Sequence, residues 1–139
     1  MLVAKLPARL TEVLGDADGG ERHPDLAWSV SAYVLHVSDN LRIWAERVAG
    51  ITLGGSGSVS SYDENALASA RAYDSICLPS ALWSLERAVR DWLDTVAMAP
   101  EELTMIHPER GEITGRDVIR SNAHDATHHL WDIERSLER

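Results

Sequence analysis

Apolar residues recur at steps of three and four along four stretches of this 139-residue chain, and that spacing most narrows what it can fold into. Each stretch is apolar on one face, which predicts amphipathic helices that must bury those faces against one another. The first covers Leu2 to Leu14, with Leu2, Leu6, Leu10 and Val13 or Leu14 on its stripe. Pro7 is expected to delay its start or kink it, and Gly15 and Gly19-Gly20 to end it. The second is expected from Pro24-Asp25 to Val48, through Leu26, Val30, Tyr33, Val34, Val37, Leu41 and Trp44, with Gly50 as its stop. The third reads as two pieces, Asp63 to Ser75 and Ser80 to Met98, separated by Pro79. The last opens at Thr114-Gly115-Arg116-Asp117, a hydroxyl followed three residues later by an acid, which is a helix-start signature. It is expected to run to the C-terminus with Ile119, Ala123, Ala126, Leu130 and Ile133 toward the core.

Between these stretches, Gly54 to Ser61 reads by composition as a flexible loop, and Ile106 to Ile113 as a short hairpin or an extended loop. No lysine-serine or lysine-threonine pair follows the glycines, so they do not form a phosphate cradle. Four main helices in one domain over residues 1–139 predict an all-α four-helix bundle.

Composition removes several function classes. Thirteen basic residues, twelve of them arginine, are scattered among 22 acids, and the formal net charge is −9. Such a chain has no basic stripe to displace counterions from phosphates, so neither nucleic acid nor an anionic membrane is an expected partner. No apolar run approaches the roughly 18 residues of a membrane span. Cys77 is the one cysteine, which excludes an internal disulfide and a cysteine-rich metal knuckle; beside Pro79 it is expected as a small buried hydrophobe. Met1 to Pro7 has no long apolar run and no cleavage site, so the cytoplasm is the expected location.

The chemistry-bearing residues concentrate in Ser121-Asn122-Ala123-His124-Asp125-Ala126-Thr127-His128-His129-Leu130-Trp131-Asp132-Ile133. His124 and His128 lie one helical turn apart on one face, where two imidazoles can share one divalent metal. Surface or core packing is the other reading of the pair. Zinc needs at least one more ligand, and His36, midway along the second helix, is the best placed, although a hydrogen-bonded core histidine would look the same. The face of His36 also carries Ser29, Tyr33, Asn40 and Arg47, and that of His124 and His128 carries Ser121, Trp131 and Arg135. Both faces are more polar than a plain core needs.

Asn40 is a candidate to hydrogen-bond substrate, and Asp132 to accept an imidazole proton from His128. Asp125, four before His129, has the same second-shell possibility; for both acids an exposed helix-face pair is the alternative. Tyr33, Arg47 and Trp131 are candidate contacts for a cofactor or substrate, against core or helix-end roles. His129 points about 140° away from His124 on a helical wheel and is left outside the triad. His23 and His107 each precede a proline and read as surface residues, with His107 able to reach a pocket mouth if the hairpin folds over it.

Taken in order, Ala27-Trp28-Ser29, His36-Val37-Ser38-Asp39 and the terminal His124 to Ile133 block resemble the DinB/YfiT-like superfamily of four-helix metal proteins. Within it the chain is most similar to the actinobacterial branch related to mycothiol-dependent maleylpyruvate isomerase and similar thiol transferases. The resemblance covers nearly the whole chain. It implies a metal triad of His36, His124 and His128 holding zinc, nickel or a similar ion, a homodimer, and no DNA binding. Three neutral imidazoles leave a metal its full positive charge, so it can activate water or lower the pKa of a bound thiol. The resemblance favours the thiol. The expected function is then a mycothiol-type S-transferase or thiol-dependent isomerase acting on a small molecule. A metal-dependent hydrolase and a non-catalytic metal- or ligand-binding stress protein are the alternatives.

Overall fold

The computed structural model describes residues 1–138, which form five α-helices, one 3-10 turn and one two-stranded antiparallel sheet. Helix α1, Leu2–Leu14, buries Val3, Leu6, Leu10 and Leu14. Pro7 neither delays nor ends it. The apolar stripe on both sides of the proline packs against the rest of the molecule, and this burial outweighs the one helix hydrogen bond that proline cannot donate.

Helix α2, Val30–Thr52, is the central element. Every residue from Ser29 to Leu41 is buried, so no face of its first half is left to water. It starts later than Pro24-Asp25 and ends later than Val48. The start is set by Ser29, whose hydroxyl accepts the Ala32 amide at 3.2 Å and satisfies one of the helix's free N–H groups. The approach to it is fixed by Gly19, at φ +96°, whose carbonyl accepts the Ser31 amide. A Cβ there would lie 2.0 Å from the Ser31 hydroxyl, so only glycine fits.

The stretch expected as one helix from Asp63 to Ser75 is broken. Helix α3, Glu64–Ala70, is capped by the Asp63 carboxylate, and a 3-10 turn over Tyr73–Ser75 follows Ala72, which adopts the left-handed conformation at φ 51°. Helix α4, Leu78–Met98, begins before Pro79 rather than after it. Proline suits a first turn, where its missing N–H would have had no partner. Its inner stripe is Leu78, Ala81, Leu85, Ala88, Val89 and Trp92. Cys77, the N-cap residue, is exposed and not the buried hydrophobe expected.

The hairpin reading of the segment after α4 is the one realised. Strands β1, Thr104–His107, and β2, Gly111–Thr114, pair with Met105 opposite Ile113. These two side chains are buried with Trp44, Val48, Leu103 and Val118 in a second apolar cluster. His107 does not reach a pocket mouth: its Nδ1 accepts the Glu109 and Arg110 amides and holds the hairpin turn. The glycine-serine loop is tied down as well, because Ile106 donates to the Gly57 carbonyl and its own carbonyl accepts the Val59 amide. Helix α5, Gly115–Leu137, carries the reciprocal Thr114–Asp117 cap that the sequence predicts. Helix α2 packs on α4 and α5, and α1 on the same two helices. The central, polar-studded α2 therefore faces α5 directly.

Candidate metal centre

That contact between α2 and α5 brings together His36, Asp125 and His129. One nitrogen of each imidazole and one carboxylate oxygen all lie within 4.8 Å of one another. Asp125 and His129 are a turn apart on α5, and Asp125 Oδ1 lies 3.3 Å from His129 Nε2. The other oxygen, Oδ2, lies 3.9 Å from His36 Nε2. The two rings meet edge to face at 4.5 Å. His36 Nε2 is buried and has no hydrogen-bond partner. An orphaned nitrogen in a central helix is costly unless something with positive charge or a proton to give is meant to sit there.

The surroundings hold these groups in place. Trp28 lies against the His36 ring at 5.0 Å, and Tyr33 stacks on His129 at 5.4 Å. His129 Nδ1 faces Asp132 Oδ2 at 3.1 Å. Asn40 donates to Asp125 Oδ2 at 3.2 Å and to Asn122 Oδ1 at 3.1 Å, while its own carbonyl accepts the Tyr62 hydroxyl at 2.7 Å. The site opens outward past Asp125 and the exposed Glu64, whose Oε2 is 3.7 Å from His36 Nε2.

Electrostatics follow from this geometry. Burial alone would raise the Asp125 carboxyl, but His129 and His36 outweigh it and hold the group well below the usual carboxylate range. Burial would likewise lower His129, but Asp125 and Asp132 together raise it above the ordinary imidazole value. Burial first, then the negative charges of Asp125 and Glu64, push the Tyr62 phenol up, so it stays protonated and donates.

The inward face of helix α5 overlaps the expected one. Its buried residues are Val118, Asn122, Ala126, Asp132, Ile133 and Ser136, so Ala126 and Ile133 of the expected stripe are fully buried, while Ile119, Ala123 and Leu130 are half-buried at its edge. His124 and His128 lie exposed, in a groove of about 670 Å³ between α1 and α5 that Trp131 also lines. The structure does not bring them to His36, and Asp125 and His129 stand in their place. Of the other candidates, Asn40 and Asp132 contact the cluster and Tyr33 walls it. Trp131 lies away from it under the Arg135 guanidinium, 4.6 Å from the ring centre. Arg47 is one layer out, over the rings of Trp44 at 4.5 Å and Tyr62 at 5.9 Å, and donates to the Ser60 carbonyl. Tyr62, Glu64 and Trp28 went unassigned as site residues, since nothing in their local spacing ties them to α5. The Asp125-to-His129 interval was the sequence signal for the face that meets His36.

A family model described as the DinB superfamily matches residues 4–133. The chain belongs to the DinB superfamily. A search of curated proteins gave no match. Among the described residues of this DinB-superfamily chain no helix is long and apolar enough to cross a membrane.

The donor set fits a divalent ion. Two imidazoles and a carboxylate form a common triad for zinc and other first-row metals. The partners behind it are also of the right kind: Asp132 on the far nitrogen of His129 and Asn40 on the carboxylate. A carboxylate ligand differs from the imidazole expected in that position, because it removes one of the two positive charges that three neutral imidazoles would leave on the ion.

Proposed function

We propose that this DinB-superfamily chain is a divalent-metal-dependent enzyme whose ion is held by His36, Asp125 and His129. The observation that carries the reading is the buried, unpartnered Nε2 of His36, aimed at the same carboxylate that meets His129. Zinc or nickel is the proposed metal. The reaction proposed is thiol transfer or thiol-dependent isomerisation of a small molecule, with a low-mass thiol such as mycothiol as co-substrate. The ion would supply Lewis acidity that lowers the pKa of a bound thiol or water.

The chain's own residues do the rest. Asp132 holds the proton on His129 Nδ1, which leaves Nε2 free to face the ion. Asn40 fixes the rotation of the Asp125 carboxylate. Trp28 and Tyr33 cover the inner side of the two imidazoles and keep water from it. Glu64 stands at the open side, where it can take a proton from an incoming thiol. The same position suits activation of water, and hydrolysis is the second reading. The wider proposal is a single four-helix-bundle domain, working in the cytoplasm as a homodimer, with neither nucleic acid nor membrane as a partner.

Elemental analysis of untagged protein, wild type and His36→Ala, tests the metal. About one divalent ion per chain, absent from the variant, supports it; an ion-free wild type after incubation with zinc and with nickel defeats it. Turnover of an electrophile only when thiol is present separates transfer from hydrolysis.

A further inference from the structure

We propose that Tyr62 is a positioning residue for this centre, acting through Asn40 on the Asp125 carboxylate and tying order in the Gly54–Ser61 loop to metal affinity. The inference rests on the metal reading above and adds a residue on a separate segment whose hydroxyl bonds Asn40.

The direction of the chain of hydrogen bonds is fixed by chemistry. Asn40 Nδ2 lies 3.2 Å from Asp125 Oδ2, and a carboxylate that is to bind a metal has no proton to give, so the Asn40 amide turns its NH2 toward Oδ2. Its carbonyl then points the other way, where the Tyr62 hydroxyl, 2.7 Å off, must donate. The second N–H of Asn40 goes to Asn122 Oδ1, and Asn122 is itself anchored by its amide to the Val118 carbonyl at 2.9 Å. Every polar atom of the Asn40 side chain therefore has a partner, and the phenol supplies the only one outside α5. The oxygen that Asn40 holds is the one facing His36, and the other faces His129. Fixing that oxygen sets the carboxylate's rotation toward both imidazoles.

Tyr62 in turn sits at the end of a segment rich in glycine and serine, which has high conformational entropy when free. Besides the exposed Ser61–Glu109 bond, three longer-range contacts order it: Gly57 and Val59 pair with Ile106, Arg47 holds the Ser60 carbonyl, and the Tyr62 hydroxyl reaches Asn40. The third joins the loop to the ligand set. Coupling of this kind is reciprocal, so a ligand that favours the ordered carboxylate also favours the ordered loop.

The test uses the full chain and zinc, with affinity read by competition against a chromophoric chelator and loop order read by amide hydrogen exchange. Tyr62→Phe keeps the ring and is expected to lower zinc affinity about ten-fold with unchanged helical circular dichroism. Asn40→Ala is expected to lower it at least as much, and the double variant no further, because the two groups act in series. Zinc is expected to slow exchange from Gly57 to Tyr62 in the wild type and not in Tyr62→Phe, a reading that stands even if Asn40→Ala does not fold. Ser61→Ala, which removes only an exposed loop contact to Glu109, is expected to leave affinity unchanged. Equal zinc affinity in wild type and Tyr62→Phe, or losses that add in the double variant, overturns the positioning role and leaves the metal centre standing. A wild type that takes up neither zinc nor nickel overturns both.

Discussion

Asp132 and His129 are three residues apart on α5, and the carboxylate of the first lies 3.1 Å from Nδ1 of the second. His129 consequently has a carboxylate at each ring nitrogen, Asp132 on one side and Asp125 on the other. In the metal-free protein that arrangement favours the doubly protonated ring. On the proposed metal reading, Asp132 would keep the Nδ1 proton and leave Nε2 to hold the ion. One pair of residues thus serves both states.

Replacing Asp132 by Asn keeps the size of the side chain and removes its charge. The expected outcome is a fall of about 10- to 100-fold in zinc affinity with the fold retained. Chelator competition on folded Asp132→Asn checks it, and wild-type affinity would show that Asp132 does not hold the ligand.

The two raised and lowered groups give stability a definite pH window. The folded-state pKa of His129 lies above its ordinary 6.5, so its contribution in the metal-free protein is complete below that value and is lost as pH rises through the raised pKa. The folded-state pKa of Asp125 lies below its ordinary 3.8, so its contribution is complete above that value and is lost as pH falls through the lowered one. Metal-free protein is therefore expected to be most stable between about pH 4 and 6.5. Zinc needs the neutral imidazole, so its stabilising effect should grow as pH rises through the His129 pKa. Thermal melts with zinc and with chelator across pH 4 to 9 measure both trends.

The two histidine sets are separable by mutation. His36→Ala and His129→Ala are each expected to abolish stoichiometric zinc, whereas His124→Ala combined with His128→Ala should retain it, since those rings line the groove against α1. Zinc analysis after dialysis decides. Loss in the double variant would return the site to the outer face of α5.

How far the sequence could be read depended on how locally each feature is determined. The Thr114–Asp117 cap was legible because a few adjacent residues set it, whereas the segment from Ile106 to Ile113 read equally as a hairpin or an extended loop. The start of α2 was not legible, since Ser29 wins over Pro24-Asp25 through its bond to Ala32 and through Gly19 packing beneath Ser31. His36 stood out in the sequence because its ring lies between Val34-Leu35 and Val37 in a helix long enough to be central. Which of the two adjacent pairs on α5, His124 and His128 or Asp125 and His129, faces α2 was not legible, because the pairs are one residue, about 100°, apart and both lie beside the apolar stripe rather than in it.

Ala72 offers a stability test away from the centre. It is the one described non-glycine residue at positive φ, and it turns the chain so that the Tyr73 hydroxyl reaches Asp39 Oδ2 at 2.6 Å. Asp39 is buried three residues after His36, and Arg42 at 3.1 Å and Arg71 at 3.0 Å complete its partners. The left-handed conformation costs an alanine about 1–2 kcal/mol, and glycine's extra freedom in the unfolded chain offsets about half of that. Ala72→Gly is therefore expected to stabilise the fold by up to about 1 kcal/mol, raising Tm by about 2–4 °C. Tyr73→Phe should act in the opposite direction, by about 1–3 kcal/mol, because it leaves a buried carboxylate short of a donor. Urea melts of both variants read the two signs directly. Destabilisation by Ala72→Gly would mean that the alanine methyl contributes more by packing than its backbone conformation costs.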